Sequence, residues 1–190
     1  MHKKTSNILA NKNLPNYITT VRIAGTASLL FVKPLSTAFL IIYTIAGITD
    51  ALDGFIARKM GTISEFGSKL DSIADLLLYG VMIIKLFPIL WVKLPHKIWF
   101  VVGSVILLRV CSYIYAGKKY HRFSAQHTYM NKVSGLLAFG VPYMAITTAT
   151  APYCWVLGGV SMIASIEEIA IHIVSETYDS DRKSIFSKSA

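Results

Sequence analysis

Acidic residues are what this chain has least of. Ten Asp and Glu stand against 19 Lys and Arg, and charged residues of both signs make up only 15% of the sequence. Soluble domains carry about a quarter. With 54% apolar residues, the chain does not read as a soluble globular domain. Cysteine is scarce as well. Cys111 and Cys154 each stand in an apolar run, and neither forms a metal-ligand spacing or a disulfide framework. The lysines of residues 1–12 are followed by no apolar core and no small-residue cleavage site, which argues against a signal peptide. Internal repeats and low-complexity tracts are also missing.

What is present is apolar length. A helix needs about 20 predominantly apolar residues to cross a bilayer. Runs approaching or reaching that length fall at 17–32, 35–56, 66–91, 98–116, 133–151 and 153–173, the first and last being marginal. The expected fold is therefore an all-α integral membrane protein of six transmembrane helices with a short N-terminal interfacial helix. Residues 1–16 form that cytoplasmic interfacial segment, which Pro15 ends before the first span. Residues 17–175 form the membrane domain, and residues 176–190 a polar cytoplasmic tail. With the N-terminus inside, the inner segments collect most of the Lys and Arg, while the outer side keeps Lys33, Lys85, Lys93 and Lys97. The positive-inside rule then places both termini in the cytoplasm. The net charge of +9 is a topological signal that also attracts anionic membrane lipids. It is spread along membrane edges rather than gathered in a basic domain, so no nucleic-acid partner is expected. Small size and this charge bias fit a prokaryotic plasma membrane.

The few acids are not scattered. Asp50, Asp53, Glu65, Asp71 and Asp75 are half of the total, and the next carboxylate along the chain is Glu167. On a helix, Asp50, Asp53, Gly54, Ala57 and Arg58 share one face, and Gly67, Asp71 and Asp75 share another. Gly61 reads as the stop of the second span, and Thr62 with Glu65 as a capping box opening the third. At 1.5 Å per residue, Asp50 lies roughly 12 Å from the inner end of its span and Asp75 about 15 Å into the next. An antiparallel hairpin thus brings four carboxylates together below the cytoplasmic surface. Such a set protonates or takes a cation, and an all-oxygen donor set suits Mg2+, Mn2+ or Ca2+ rather than zinc. A divalent metal beside small residues points to phosphoryl chemistry. Arg109, about 12 Å above Gly117 by helical rise, lies at the depth of the aspartates, and an intramembrane Arg is a functional candidate by default.

These residues resemble a known family. The pattern Asp50-x2-Asp53-Gly54-x2-Ala57-Arg58-x8-Gly67-x3-Asp71-x3-Asp75 is similar to the signature of the CDP-alcohol phosphotransferases, also called CDP-alcohol phosphatidyltransferases, at all eight positions. The resemblance implies a homodimer with a cavity open to the cytoplasm and a two-metal site of Mg2+ or Mn2+. By it, Asp50, Asp53, Asp71 and Asp75 are metal ligands, with Asp75 also the catalytic base. Gly54, Ala57, Arg58 and Gly67 are nucleotide-binding. The donor it implies is CDP-diacylglycerol, the second substrate a small alcohol acceptor, and the product besides lipid is CMP.

The acceptor is read from weaker features. "LPNYITTVRI" (14–23) resembles phosphatidylglycerophosphate synthases, with Arg22 where serine-using relatives tend to have Asn. "LDSIADL" (70–76), with Ser72 and Leu76, is instead similar to phosphatidylserine synthases. Arg109, Lys132 and Arg122 could supply cations to a phosphorylated acceptor, so glycerol 3-phosphate is the expected acceptor. Serine-type and inositol-type synthases are the alternatives. From a different class, a cation or proton transporter would also carry intramembrane acids, but the chain has no inverted repeat or interrupted helices. Glu167 and Glu168 are read as the point where the sixth span leaves the membrane. His121 and His127 are read as loop residues.

Overall fold

The computed structural model describes residues 14–60, 65–120, 128–175 and 184. Among them are six α-helices: α1 Leu14–Ser28, α2 Thr37–Met60, α3 Glu65–Lys93, α4 His96–Tyr120, α5 Tyr129–Ala145 and α6 Thr150–Val174. There are no strands among the described residues. Each helix falls on one of the six apolar runs. The expected interfacial helix lies mostly in residues 1–13, and the expected Thr62–Glu65 capping box partly in residues 61–64, both outside the described residues.

One boundary differs from expectation. Pro15 lies in the first turn of α1 instead of separating an earlier helix from it. The first helical turn has no use for the missing N–H, and proline's fixed φ already suits a helix.

Three helical stretches are long and apolar enough to cross a membrane: Lys69–Lys93, His96–Tyr120 and Thr150–Val174. α1 and α5, at 15 and 17 residues, are shorter than a straight span requires. α2 has 24 residues, of which Thr37–Asp50 is an apolar helical stretch among the described residues. Large apolar side chains such as Phe100, Leu107, Leu136 and Ile163 are exposed. An exterior of this kind is matched to lipid rather than to water.

The chain divides into two compact units, Met1–Leu90 and Trp91–Ala190. In the first, α1 packs on α2, and Leu29, Phe39 and Val81 form a core flanked by Leu40, Leu77 and Met82. The turn between α1 and α2 is closed by Ser36, whose Oγ donates to the Lys33 carbonyl (2.8 Å) and accepts from the Phe39 N–H (3.3 Å). Leu35 there has φ 60°, a left-handed conformation that costs a non-glycine residue about 1–2 kcal/mol. Lys85 Nζ on α3 donates to the Val32 carbonyl at 3.2 Å, tying α3 to the turn after α1. α1 therefore runs from a polar buried stripe, Thr19, Arg22 and Thr26, to an apolar end at Leu29.

In the second unit α6 packs against both α4 and α5. Close approach is set by small residues: a Cβ on Gly158 would meet Val101 Cγ1 at 2.9 Å, and one on Gly140 would collide with the Tyr153 hydroxyl. That hydroxyl donates to the Leu137 carbonyl at 2.6 Å. Ser134 and Ser161 join α5 to α6 through a 2.7 Å hydroxyl pair. The C-terminal carbonyls of α5 and α6 are capped by lysines. Lys93 Nζ donates to Ala145 (2.6 Å) and Thr147 (2.7 Å), and Lys119 Nζ to His172 (2.7 Å) and Ile173 (3.2 Å).

Candidate functional site

The acids of the first unit converge on one arginine. Asp50 lies on α2, and Asp71 and Asp75 lie one turn apart on α3, so both point the same way. Arg22, just past the middle of α1, meets all three. Its Nη1 donates to Asp50 Oδ1, and its Nη2 donates to Asp71 Oδ1 at 2.5 Å and stands 3.7 Å from Asp75 Oδ1. Arg22 is buried, its side chain only 1% exposed, whereas the three aspartates are each close to half exposed. The cation forms the floor of the cluster, and the carboxylates open away from it.

This arrangement fits the divalent metal that the aspartate spacing implies. One carboxylate oxygen from each of Asp50, Asp71 and Asp75 lies within 4.8 Å of the others. Two oxygen ligands across a hard divalent ion, with bonds of about 2.0–2.5 Å, span about 4–5 Å. The donor set is all oxygen, and half of each carboxylate is accessible. Asp53 lies on α2 one turn beyond Asp50. Its side chain, and those of Ala57 and Arg58, lie outside the described residues, as does the surrounding of Gly54. Gly67 is in the first turn of α3 and half-buried.

The three cations expected at an acceptor belong to the second unit. Arg122 lies outside the described residues, and Lys132 is exposed near the start of α5. Arg109 is engaged in a network of its own. Its Nη2 donates to Asn131 Oδ1 (2.9 Å), its Nη1 pairs with Glu168 Oε2 (3.5 Å), and Asn131 Nδ2 donates to the same Glu168 oxygen (3.2 Å). His172, one turn after Glu168, places Nε2 3.9 Å from its second oxygen. Glu168 and His172 are fully buried. The expectation that Glu168 marks the end of the sixth span is therefore corrected: α6 continues to Val174, and Glu168 is buried within it as the partner of Arg109. A buried carboxylate needs a cation and hydrogen bonds, and Arg109 with Asn131 provides both to Oε2, while Oε1 makes no hydrogen bond.

Arg22 is the residue that reading the acids alone does not find. Its signal is the lone arginine with threonines three residues before and four after, which places a polar stripe on a helix otherwise fit for lipid.

A family model described as CDP-alcohol phosphatidyltransferase matches residues 12–174, and the chain belongs to that family. Several relatives match over part of their length. A protein of Rickettsia bellii named CDP-diacylglycerol–glycerol-3-phosphate 3-phosphatidyltransferase is 42% identical over 81 residues, 40% of this chain and 45% of the relative. A protein of the same name from Pseudomonas fluorescens is 32% identical over 104 residues, 50% of this chain and 52% of the relative. A CDP-diacylglycerol–serine O-phosphatidyltransferase of Methanocaldococcus jannaschii is 43% identical over 68 residues, 36% of this chain and 31% of the relative. The chain thus spans about half or less of the length of the curated relatives it matches. No solved structure matches it.

Proposed function

We propose that the protein transfers the phosphatidyl group of CDP-diacylglycerol to the hydroxyl of glycerol 3-phosphate, releasing CMP, in a divalent-metal-dependent reaction. The observation that carries this reading is the convergence of Asp50, Asp71 and Asp75 from two helices into one oxygen-rich cluster. Family membership and the names of the relatives support it.

In this reading Asp50, Asp53, Asp71 and Asp75 hold Mg2+ or Mn2+, which supplies positive charge to the donor's pyrophosphate and to the departing CMP. Asp75 accepts the proton of the acceptor hydroxyl. The hydroxyl oxygen forms a bond to the lipid-bearing phosphorus, and the bond from that phosphorus to the oxygen of CMP breaks. Gly54, Ala57, Arg58 and Gly67 hold the nucleotide, small residues allowing it to lie against backbone. Lys132 and Arg122 are the cations assigned to the acceptor phosphate, Arg109 being held by Glu168 and Asn131. The same reading carries six membrane spans, a homodimer, cytoplasmic termini and a cytoplasmic active site in a prokaryotic plasma membrane.

Serine is the second acceptor to test, on the strength of Ser72 and Leu76 and of the serine-enzyme relative. The deciding experiment is CMP release by the purified protein with CDP-diacylglycerol and Mn2+ or Mg2+, offering glycerol 3-phosphate, serine, inositol or inositol phosphate separately. Release with glycerol 3-phosphate, abolished by chelation, is expected. Release with serine alone would move the protein to the other branch, and no release with any acceptor would overturn the reading.

A further inference from the structure

The buried arginine beneath the aspartates stands in an unusual place for a site meant to collect cations. Its guanidinium contacts three carboxylates from two helices, so it draws together α1, α2 and α3 at one point. It cannot yield that position by losing its proton, since arginine stays charged in proteins. Burial of its side chain to 1% exposure leaves its charge little screened by solvent.

We propose that Arg22 is a built-in competing cation: it holds the aspartates together when no divalent ion is bound, and makes stable metal uptake depend on an anionic, pyrophosphate-bearing co-ligand. The inference rests on the transferase reading above. Formal charge carries it. With Asp53 included, four carboxylates alone would be neutralised by two divalent ions, and nothing further would be needed. With Arg22 added the same site becomes a net cation, and like charges a few ångströms apart oppose the second ion. A pyrophosphate, with two negative charges, removes that excess. Arg22 therefore couples two ligands that bind in one place. Such coupling is reciprocal: the nucleotide tightens the metal by the same factor by which the metal tightens the nucleotide. A purely structural arginine would predict the reverse sign, since losing it would loosen the aspartates and weaken metal binding.

The test is Mn2+ binding to the purified full-length protein in detergent, followed by the loss of the free-Mn2+ paramagnetic resonance signal, with and without CDP. Arg22→Gln is expected to bind Mn2+ at least tenfold more tightly than the native protein when CDP is absent, and to gain much less from CDP. In metal-free buffer the variant is expected to melt lower, and Mn2+ to raise its Tm by more. Equal or weaker Mn2+ affinity in Arg22→Gln overturns the proposal. Where Arg22→Gln does not fold, Arg22→Lys decides. A single ammonium cannot bridge three carboxylates, so severalfold tighter Mn2+ binding is expected, and unchanged or weaker binding is the contrary result. Asp71→Asn serves as the control. If it leaves Mn2+ binding unchanged, the metal does not bind at the aspartates, and the transferase reading falls together with this one.

Discussion

The two units each place an arginine against carboxylate among apolar helices, and they do it in opposite ways. In the first, one buried arginine faces three half-exposed aspartates. In the second, one buried glutamate faces a partly exposed arginine, with Asn131 completing the set. The first arrangement has an excess of negative charge on its accessible side. The second is matched one to one and has its carboxylate sealed from solvent. Similar chemistry thus yields an open acidic cluster in one place and a staple in the other. What separates them is which partner is buried and which is in excess.

That comparison can be broken most directly at Asp75. Asp75→Asn is expected to lower CMP release by about 10²–10⁴-fold, the usual contribution of a general base, when measured at saturating Mn2+ and CDP-diacylglycerol so that any lost metal affinity is made up. A retained turnover would remove Asp75 from the chemistry. The staple should behave in the opposite manner. Glu168→Ala leaves Arg109, 28% exposed, without its carboxylate, so the loss should fall below the about 3–5 kcal/mol that breaking a fully buried pair costs. Chemical unfolding in detergent is the measurement, and adding Arg109→Met should restore part of the loss. If Glu168→Ala instead unfolds like the native protein but loses acceptor binding, the second cluster is a site after all. Smallest is Ser134→Ala. Its hydroxyl pair with Ser161 is of a kind that averages about 0.6 kcal/mol between membrane helices, so Tm should fall only slightly. A large fall would mean that α5 and α6 depend on that one contact.

Helix positions and the aspartate face were legible because both are local. Apolar runs show directly in sequence, and residues three or four apart on a helix must share a side. The arginine under the aspartates was not, since Arg22 and Asp50 are 28 residues apart and no periodicity links residues on different helices. The polar stripe of Thr19, Arg22 and Thr26 was the available clue. Glu168 was misread for a different reason. Two adjacent glutamates look like a helix leaving the membrane, but neighbours on a helix point about 100° apart. Glu167 is half-buried and accepts from the Ser184 hydroxyl at 2.9 Å, while Glu168 faces inward. The spacing from Glu168 to His172 marks that inward face.

The lysines that cap α5 and α6 bear on how the second unit is made. Lys93 reaches carbonyls 52 and 54 residues ahead, and Lys119 reaches 53 and 54 ahead. Neither bond can exist until two further helices have left the ribosome and turned back to the same end. Each lysine thus waits, charged and without these partners, while the intervening helices are synthesised. The Lys93 contacts require only α4 and α5, whereas a chain interrupted before α6 would leave Lys119 without the carbonyls that hold it.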